Sequence, residues 1–247
     1  MTIDHVFRQV DYSARFEWGS DGVTQVGAGS DIVVIVDILS FTTCVDIVSA
    51  RGGAVFPYRV RDDTAAAYAK EKGAILADKR GGVAFSLSPA SLSSIPAGTR
   101  IVLPSPNGST CTVLAQQLNG MVIAACLRNA AAVSSYIREL GASVTVIASG
   151  ERWQNGALRP AIEDMIGAGA VLEGLPKHRL SPEAQLAVAV YQSAKCDLSA
   201  ILAGTGSGRE LIAKGYAEDV DIAACLHISD AVPILNQEMA YTSISFA

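Results

Sequence analysis

The sequence predicts an α/β fold, a mainly parallel sheet flanked by helices with a largely helical last third. Three observations carry this. Asp31-Ile-Val-Val-Ile-Val36 is an unbroken, β-branched apolar run, the mark of a strand buried on both faces in a parallel sheet. Strand-like and helix-like runs then alternate along the chain, which argues for βαβ units. From Ser181 to Ala240 the pattern reads mostly helical.

Taken in order, the polar, Gly-rich first 30 residues suggest an edge strand or hairpin. The run ending at Val36 leads into a helical pattern through Ala50, stopped by Gly52-Gly53. Ala54–Tyr58 reads as a strand, Asp62–Lys72 as a helix and Ala74–Ala77 as a short strand. Ile101–Leu103 is a strand and Thr110–Leu118 a helix. Met121–Cys126 is the next strand, with Asn129 as N-cap of a helix ending near Leu140. Val144–Ala148 is a strand, and Pro160 suits the first position of the helix after it. The whole of 1–247 reads as one domain, with a sub-lobe boundary near 175–181.

Composition limits the function. The net charge of −5 comes without any lysine or arginine run, which disfavours nucleic acid and anionic membrane as partners. No apolar stretch approaches the roughly 20 residues of a membrane helix, and Met1–His5 has no basic segment leading into an apolar one. A cytoplasmic protein is expected, with a homodimer as the default assembly. The five cysteines form no CxxC pair, so core packing is expected of them rather than a disulfide framework or zinc.

Ligands of open α/β sheets sit beyond the carboxyl ends of strands, so the loops there carry the candidates. Asp37 directly follows the apolar run. It reads either as a Mg²⁺ ligand or as a cap for the next helix. An aspartyl nucleophile of the haloacid-dehalogenase type needs a second aspartate two residues on, where Leu39 stands. Ser105-Pro-Asn107-Gly108-Ser109-Thr110 is either an anion site of hydroxyls and helix-start N–H groups or a Pro-Asn-Gly turn capped by Ser109. Lys79-Arg80-Gly81-Gly82 could bind phosphate through a guanidinium or be a solvated basic turn. Glu163-Asp164 suits either a helix dipole or a metal. Gly204–Glu210 is Gly-rich but matches neither GxxxxGK[ST] nor GxGxxG.

The absences narrow the chemistry. No cysteine is followed by arginine at C-x5-R spacing, and neither GxSxG nor HExxH occurs. Metal-assisted attack of water on a bound phosphate is left open.

Together the motifs resemble the 2-phosphosulfolactate phosphatase family. The carrying pieces are Val36-Asp37-Ile-Leu-Ser-Phe-Thr-Thr43, Arg80-Gly81-Gly82 with Ser88-Pro89, Ser105–Ser109, and Ala148-Ser149-Gly150 with Glu163-Asp164. Ser207-Gly208-Arg209-Glu210-Leu211, Asp219-Val220 and Val232-Pro233 complete the ordered set. The resemblance implies that family's own α/β fold and a Mg²⁺-dependent phosphatase, whose reaction converts 2-phosphosulfolactate to sulfolactate and phosphate on the way to coenzyme M. It implies that Asp37, Glu163 and Asp164 lie near the metal, with Asp37, Asn107 and Glu163 at the chemistry. Asn107, Gly108 and Ser109 would cradle an anion with Arg80 and Arg209 as cationic partners, and Lys79, Gly81 and Ser105 complete the expected anion-binding residues. One departure matters. Where the family pattern carries an arginine three residues after the aspartate, this chain has Ser40, followed by Phe41. A non-catalytic anion-binding or regulatory paralogue is the rival reading.

Overall fold

The structure is a computed structural model that describes residues 6–82 and 85–244. Residues 1–5, 83–84 and 245–247 lie outside the described residues.

The strands are β1 (Ala14–Trp18), β2 (Ile32–Val36), β3 (Ala54–Tyr58), β4 (Ile75–Leu76), β5 (Arg100–Pro104), β6 (Met121–Ala125), β7 (Val144–Ala148), β8 (Glu151–Arg152), β9 (Leu158–Arg159), β10 (Pro233–Leu235) and β11 (Tyr241–Ser243). Nine of them form one sheet in the order β1-β7-β2-β6-β10-β11-β3-β5-β4, while β8 and β9 form a separate hairpin. Two parallel blocks, β1-β7-β2-β6 and β3-β5-β4, are joined by three antiparallel pairings through β10 and β11.

The period-2 alternation of β2 sorts the core. Ile32, Val34 and Val36 enter one apolar cluster, with the helices α6 (Ala130–Leu140), α7 (Ile162–Glu173) and α8 (Pro182–Ala194). Val33 and Ile35 point to the other face, into a cluster with α2 (Phe41–Ala50) and α5 (Gly108–Gln116). The remaining helices are α1 (Gly19–Gln25), α3 (Asp63–Glu71), α4 (Pro89–Leu92), α9 (Leu198–Gly204), α10 (Gly206–Ala213) and α11 (Ala217–Ala224). No single described helix is long and apolar enough to cross a membrane; α8 and α9 pass by length and composition only when joined across a 108° bend.

Several sequence expectations are corrected. The first 30 residues supply the edge strand β1 but also α1. The helix expected from Thr110 begins at Gly108, which makes Asn107 its cap residue and puts Ser109 inside it. The helix after Pro160 begins at Ile162, with Ala161 rather than a residue before Pro160 at the cap position. Asn129 stands at a cap position, but its side chain bonds Cys126 N, Ala124 O and Ala231 O instead of its own helix. The last third is largely helical as expected, from α8 to α11, and the short strands β10 and β11 follow those helices. Cys44, Cys111 and Cys126 are buried as expected, whereas Cys196 is exposed and Cys225 half-buried.

Two glycines of α7 let it approach its neighbours. A Cβ on Gly167 would stand 2.5 Å from Ile38 Cδ1 and 3.0 Å from Val36 Cγ1. A Cβ on Gly169 would run into the Ala187 carbonyl oxygen and lie 2.7 Å from Tyr191 Cβ in α8. This seating brings the first turn of α7, with Glu163 and Asp164, against the chain leaving β2. Gly169→Ala forces backbone against backbone, and overpacking of this kind costs about 1–3 kcal/mol. The variant should melt several degrees below wild type in a calorimetric scan; an unchanged melting temperature would mean that the helix pair has slack here.

Candidate active site

Strands β2 and β5 stand five places apart in the sheet, yet the loop after β5 reaches the end of β2. Gly108 N–H donates to Asp37 Oδ2 at 2.8 Å. Asp37 Oδ1 accepts from Phe41 N at 3.2 Å, and Ser105 Oγ stands 3.5 Å from Oδ2. Asp37 thus answers a helix-start N–H, as the capping reading expects, while keeping carboxylate lone pairs for a ligand. Gly108 is required by this closeness, because a Cβ there would lie 2.7 Å from Asp37 Oδ2 and strike the Phe41 ring.

Asp164 is the second buried carboxylate. Its Oδ1 accepts from Ile38 N at 2.8 Å and its Oδ2 from Gly150 N at 2.9 Å. It ties the loop after β2 to the loop after β7, so its evident work is to hold the site together. Glu163 is 2% exposed, and among the described residues no protein group hydrogen-bonds its carboxylate. Its carboxylate is therefore open to a cation.

Glu151, on β8, completes the cluster and was missed by sequence reasoning. Asn107 Nδ2 donates to its Oε2 at 2.8 Å, so the Asn107 side chain holds an acid instead of cradling an anion. The four carboxylates burden one another. Burial first, and then the charges of Glu151 and Glu163, push the Asp37 carboxyl up to about 7. Burial, Asp37 and Glu163 hold Asp164 well above the usual carboxylate range. Burial raises Glu151 as well, countered in part by Asn107 and Arg159.

The other expected residues divide. Ser109 Oγ donates to Leu103 O at 3.2 Å, so its hydroxyl is turned to the sheet. Its backbone N–H belongs to the first turn of α5, a helix without a side-chain cap. Arg80 is spent internally. Its Nη2 donates to Ser40 Oγ at 2.9 Å and to Leu87 O, its Nε faces Asp219 Oδ2 at 3.4 Å, and its guanidinium lies over the Tyr216 ring. Gly81, at φ 84°, leaves room for Tyr216 Oη. Lys79 and Arg209 are exposed and make no ion pair among the described residues. The Gly204–Glu210 stretch is no loop: Gly204 ends α9 and Gly206 opens α10, where Thr205 Oγ1 accepts from Gly208 N.

Among the described residues, no three His, Cys, Asp or Glu side chains form a cage for a metal. Mg²⁺ seldom needs one, since it retains several waters and binds through one or two carboxylates plus substrate phosphate. Asp37 and the donorless Glu163 fit that demand, with Glu151 beside them.

A pH dependence follows from Asp37. Its folded-state value of about 7 lies above the ordinary 3.8. Above pH 4 the unfolded chain ionises this group while the folded chain holds it protonated. Stability is therefore lost progressively from about pH 4 to 7, by on the order of 4 kcal/mol at about 1.4 kcal/mol per pH unit. In buffer free of divalent cations the melting temperature should fall between pH 5 and 8; a rise over that range would contradict the cluster's electrostatics.

Comparison with known proteins matches this sequence to a family. Residues 21–238 match the family model described as 2-phosphosulpholactate phosphatase. Three relatives carry the name "Probable 2-phosphosulfolactate phosphatase". That of Carboxydothermus hydrogenoformans is 30% identical over 81% of this chain and 84% of its own length. That of Synechococcus sp. (strain JA-2-3B'a(2-13)) is 32% identical over 79% of this chain and 84% of its own length. That of Deinococcus radiodurans is 27% identical over 83% of this chain and 88% of its own length. With the model match running from α1 to the turn before β11, the chain belongs to the 2-phosphosulfolactate phosphatase family, a family of phosphoric monoester hydrolases.

Proposed function

We propose that the protein is a Mg²⁺-dependent phosphatase of a small phosphorylated hydroxy acid, with 2-phosphosulfolactate as substrate and sulfolactate and phosphate as products. The observation that carries this reading is the contact between the buried Asp37 carboxylate and the start of α5 at Gly108. A cation-seeking oxygen and the helix start whose first N–H it accepts then share one place, and the next first-turn N–H groups suit phosphate oxygens.

Asp37 and Glu163 would hold the Mg²⁺, and Asp164 keeps both loops in position from behind. When bound, the metal supplies neutralisation of phosphate charge and a water of lowered pKa. Ser109 and Thr110 offer backbone N–H groups to the phosphate oxygens. Glu151 is oriented through Oε2 by Asn107, which leaves Oε1 free to take the proton of an attacking water. Phe41 and Gly108 fit tightly together and exclude water from behind Asp37.

The test is phosphate release from 2-phosphosulfolactate and other phosphorylated hydroxy acids, with and without Mg²⁺. Wild type should turn over in the presence of the metal. Asp37→Asn should lose turnover by a factor of about 100 or more, and Gly108→Ala, which displaces Asp37, by about 100. Full turnover by Asp37→Asn would overturn the assignment of the metal site. A wild type that binds these acids but releases no phosphate would favour a non-catalytic paralogue, with Ser40 engaged by Arg80.

A further inference from the structure

Beneath the β8–β9 hairpin lies a cavity of about 200 Å³, walled by Trp18, Asn107, Cys111, Ser149, Glu151 and Arg152. It opens beside the carboxylate cluster, which shares Asn107 and Glu151 with it. At about 30 Å³ per water it holds about seven, less than the roughly 300–1,000 Å³ of pockets for drug-sized ligands. A short-chain acid fits there and a nucleotide does not.

Ser149 is 4% exposed, and the only group beside its Oγ among the described residues is the Cys111 thiol. The Cys111 thiol beside it is a weak partner, kept neutral because burial pushes it up to about 12. A hydroxyl answered only by a thiol keeps a donor to offer a ligand in the cavity that Ser149 lines. Arg152 is the cation among these wall residues. Its Nη1 donates to Gly156 O at 3.0 Å, and the rest of its fork is uncommitted. The acids facing the cavity are Glu151 and Asp21. Glu151 is bonded to Asn107 and lies within the field of Arg159, and Asp21 is exposed on α1, where solvent screens it.

We propose that this cavity receives the untransferred part of the substrate, a second oxyanion (carboxylate or sulfonate) on a chain of three or four atoms, with Arg152 and Ser149 Oγ as its partners. The proposal rests on the phosphatase reading above and assigns the residues that set its specificity.

Kinetics of wild type, Ser149→Ala and Arg152→Gln on 2-phosphosulfolactate, 2-phospholactate and isopropyl phosphate test it. Glutamine can still donate to Gly156 O, and circular dichroism melts check that the hairpin survives. For each variant, KM for a phosphorylated acid should rise about ten-fold or more with kcat within about three-fold. KM for isopropyl phosphate, which has no second anion, should move less than about two-fold. An effect confined to 2-phosphosulfolactate assigns the cavity to sulfonate, and an equal effect on 2-phospholactate assigns it to carboxylate. No change in KM, or the same change on all three substrates, overturns the proposal and leaves the phosphatase reading standing. Calorimetric titration with sulfolactate gives an arm independent of turnover. A Kd raised about ten-fold by Arg152→Gln supports the site even if no phosphate is released, a result that would count against the phosphatase reading alone. An unchanged Kd, or no binding to wild type, overturns the site.

Discussion

Four backbone N–H groups holding two buried carboxylates are the constraint from which the site follows. Phe41 and Gly108 hold Asp37, and Ile38 and Gly150 hold Asp164. The four donors come from three loops far apart in sequence, after β2, after β5 and after β7. An ionised carboxylate removed from water needs donors or a cation. Backbone N–H groups supply part of the answer and fix the loops in the same act. The remainder, borne by Asp37 beside Glu151 and Glu163, is what a divalent cation would relieve.

The fold serves that constraint. Gly108 brings α5 onto Asp37, and Gly167 brings α7 onto Ile38. The antiparallel pairings of β10 and β11 join the two parallel blocks into one sheet, and the loops after β2 and β5 meet at Asp37. Arg80, bound by Ser40, Leu87 and Asp219, fastens the loop after β4 and the C-terminal helices to the turn that follows Asp37.

Much of this was legible in the sequence because strand ends and glycines are local signals. The apolar run before Asp37, the Pro-Asn-Gly loop and the paired Glu163-Asp164 all mark residues at the site. What was illegible depends on distant partners. Glu151 sits in a polar stretch without periodicity, and its importance lies in Asn107, 44 residues away. Arg80 looks like a free phosphate ligand until Asp219 is placed against it. Ser109 looks like a cap until the helix is seen to start two residues earlier than expected, at Gly108. Three-residue strands such as β10, opened by Pro233, are too short to show an alternation, so the direction of half the sheet was hidden.

The most direct measurement is a calorimetric titration of the protein with Mg²⁺ at pH 7 in two buffers of different ionisation enthalpy. A cluster that awaits a cation predicts saturable binding with release of a proton, since Asp37 must ionise to bind the metal. Binding should weaken in Asp37→Asn and Glu163→Gln. Absence of saturable binding, or binding of equal strength in both variants, would contradict the view that these buried acids are built around a metal.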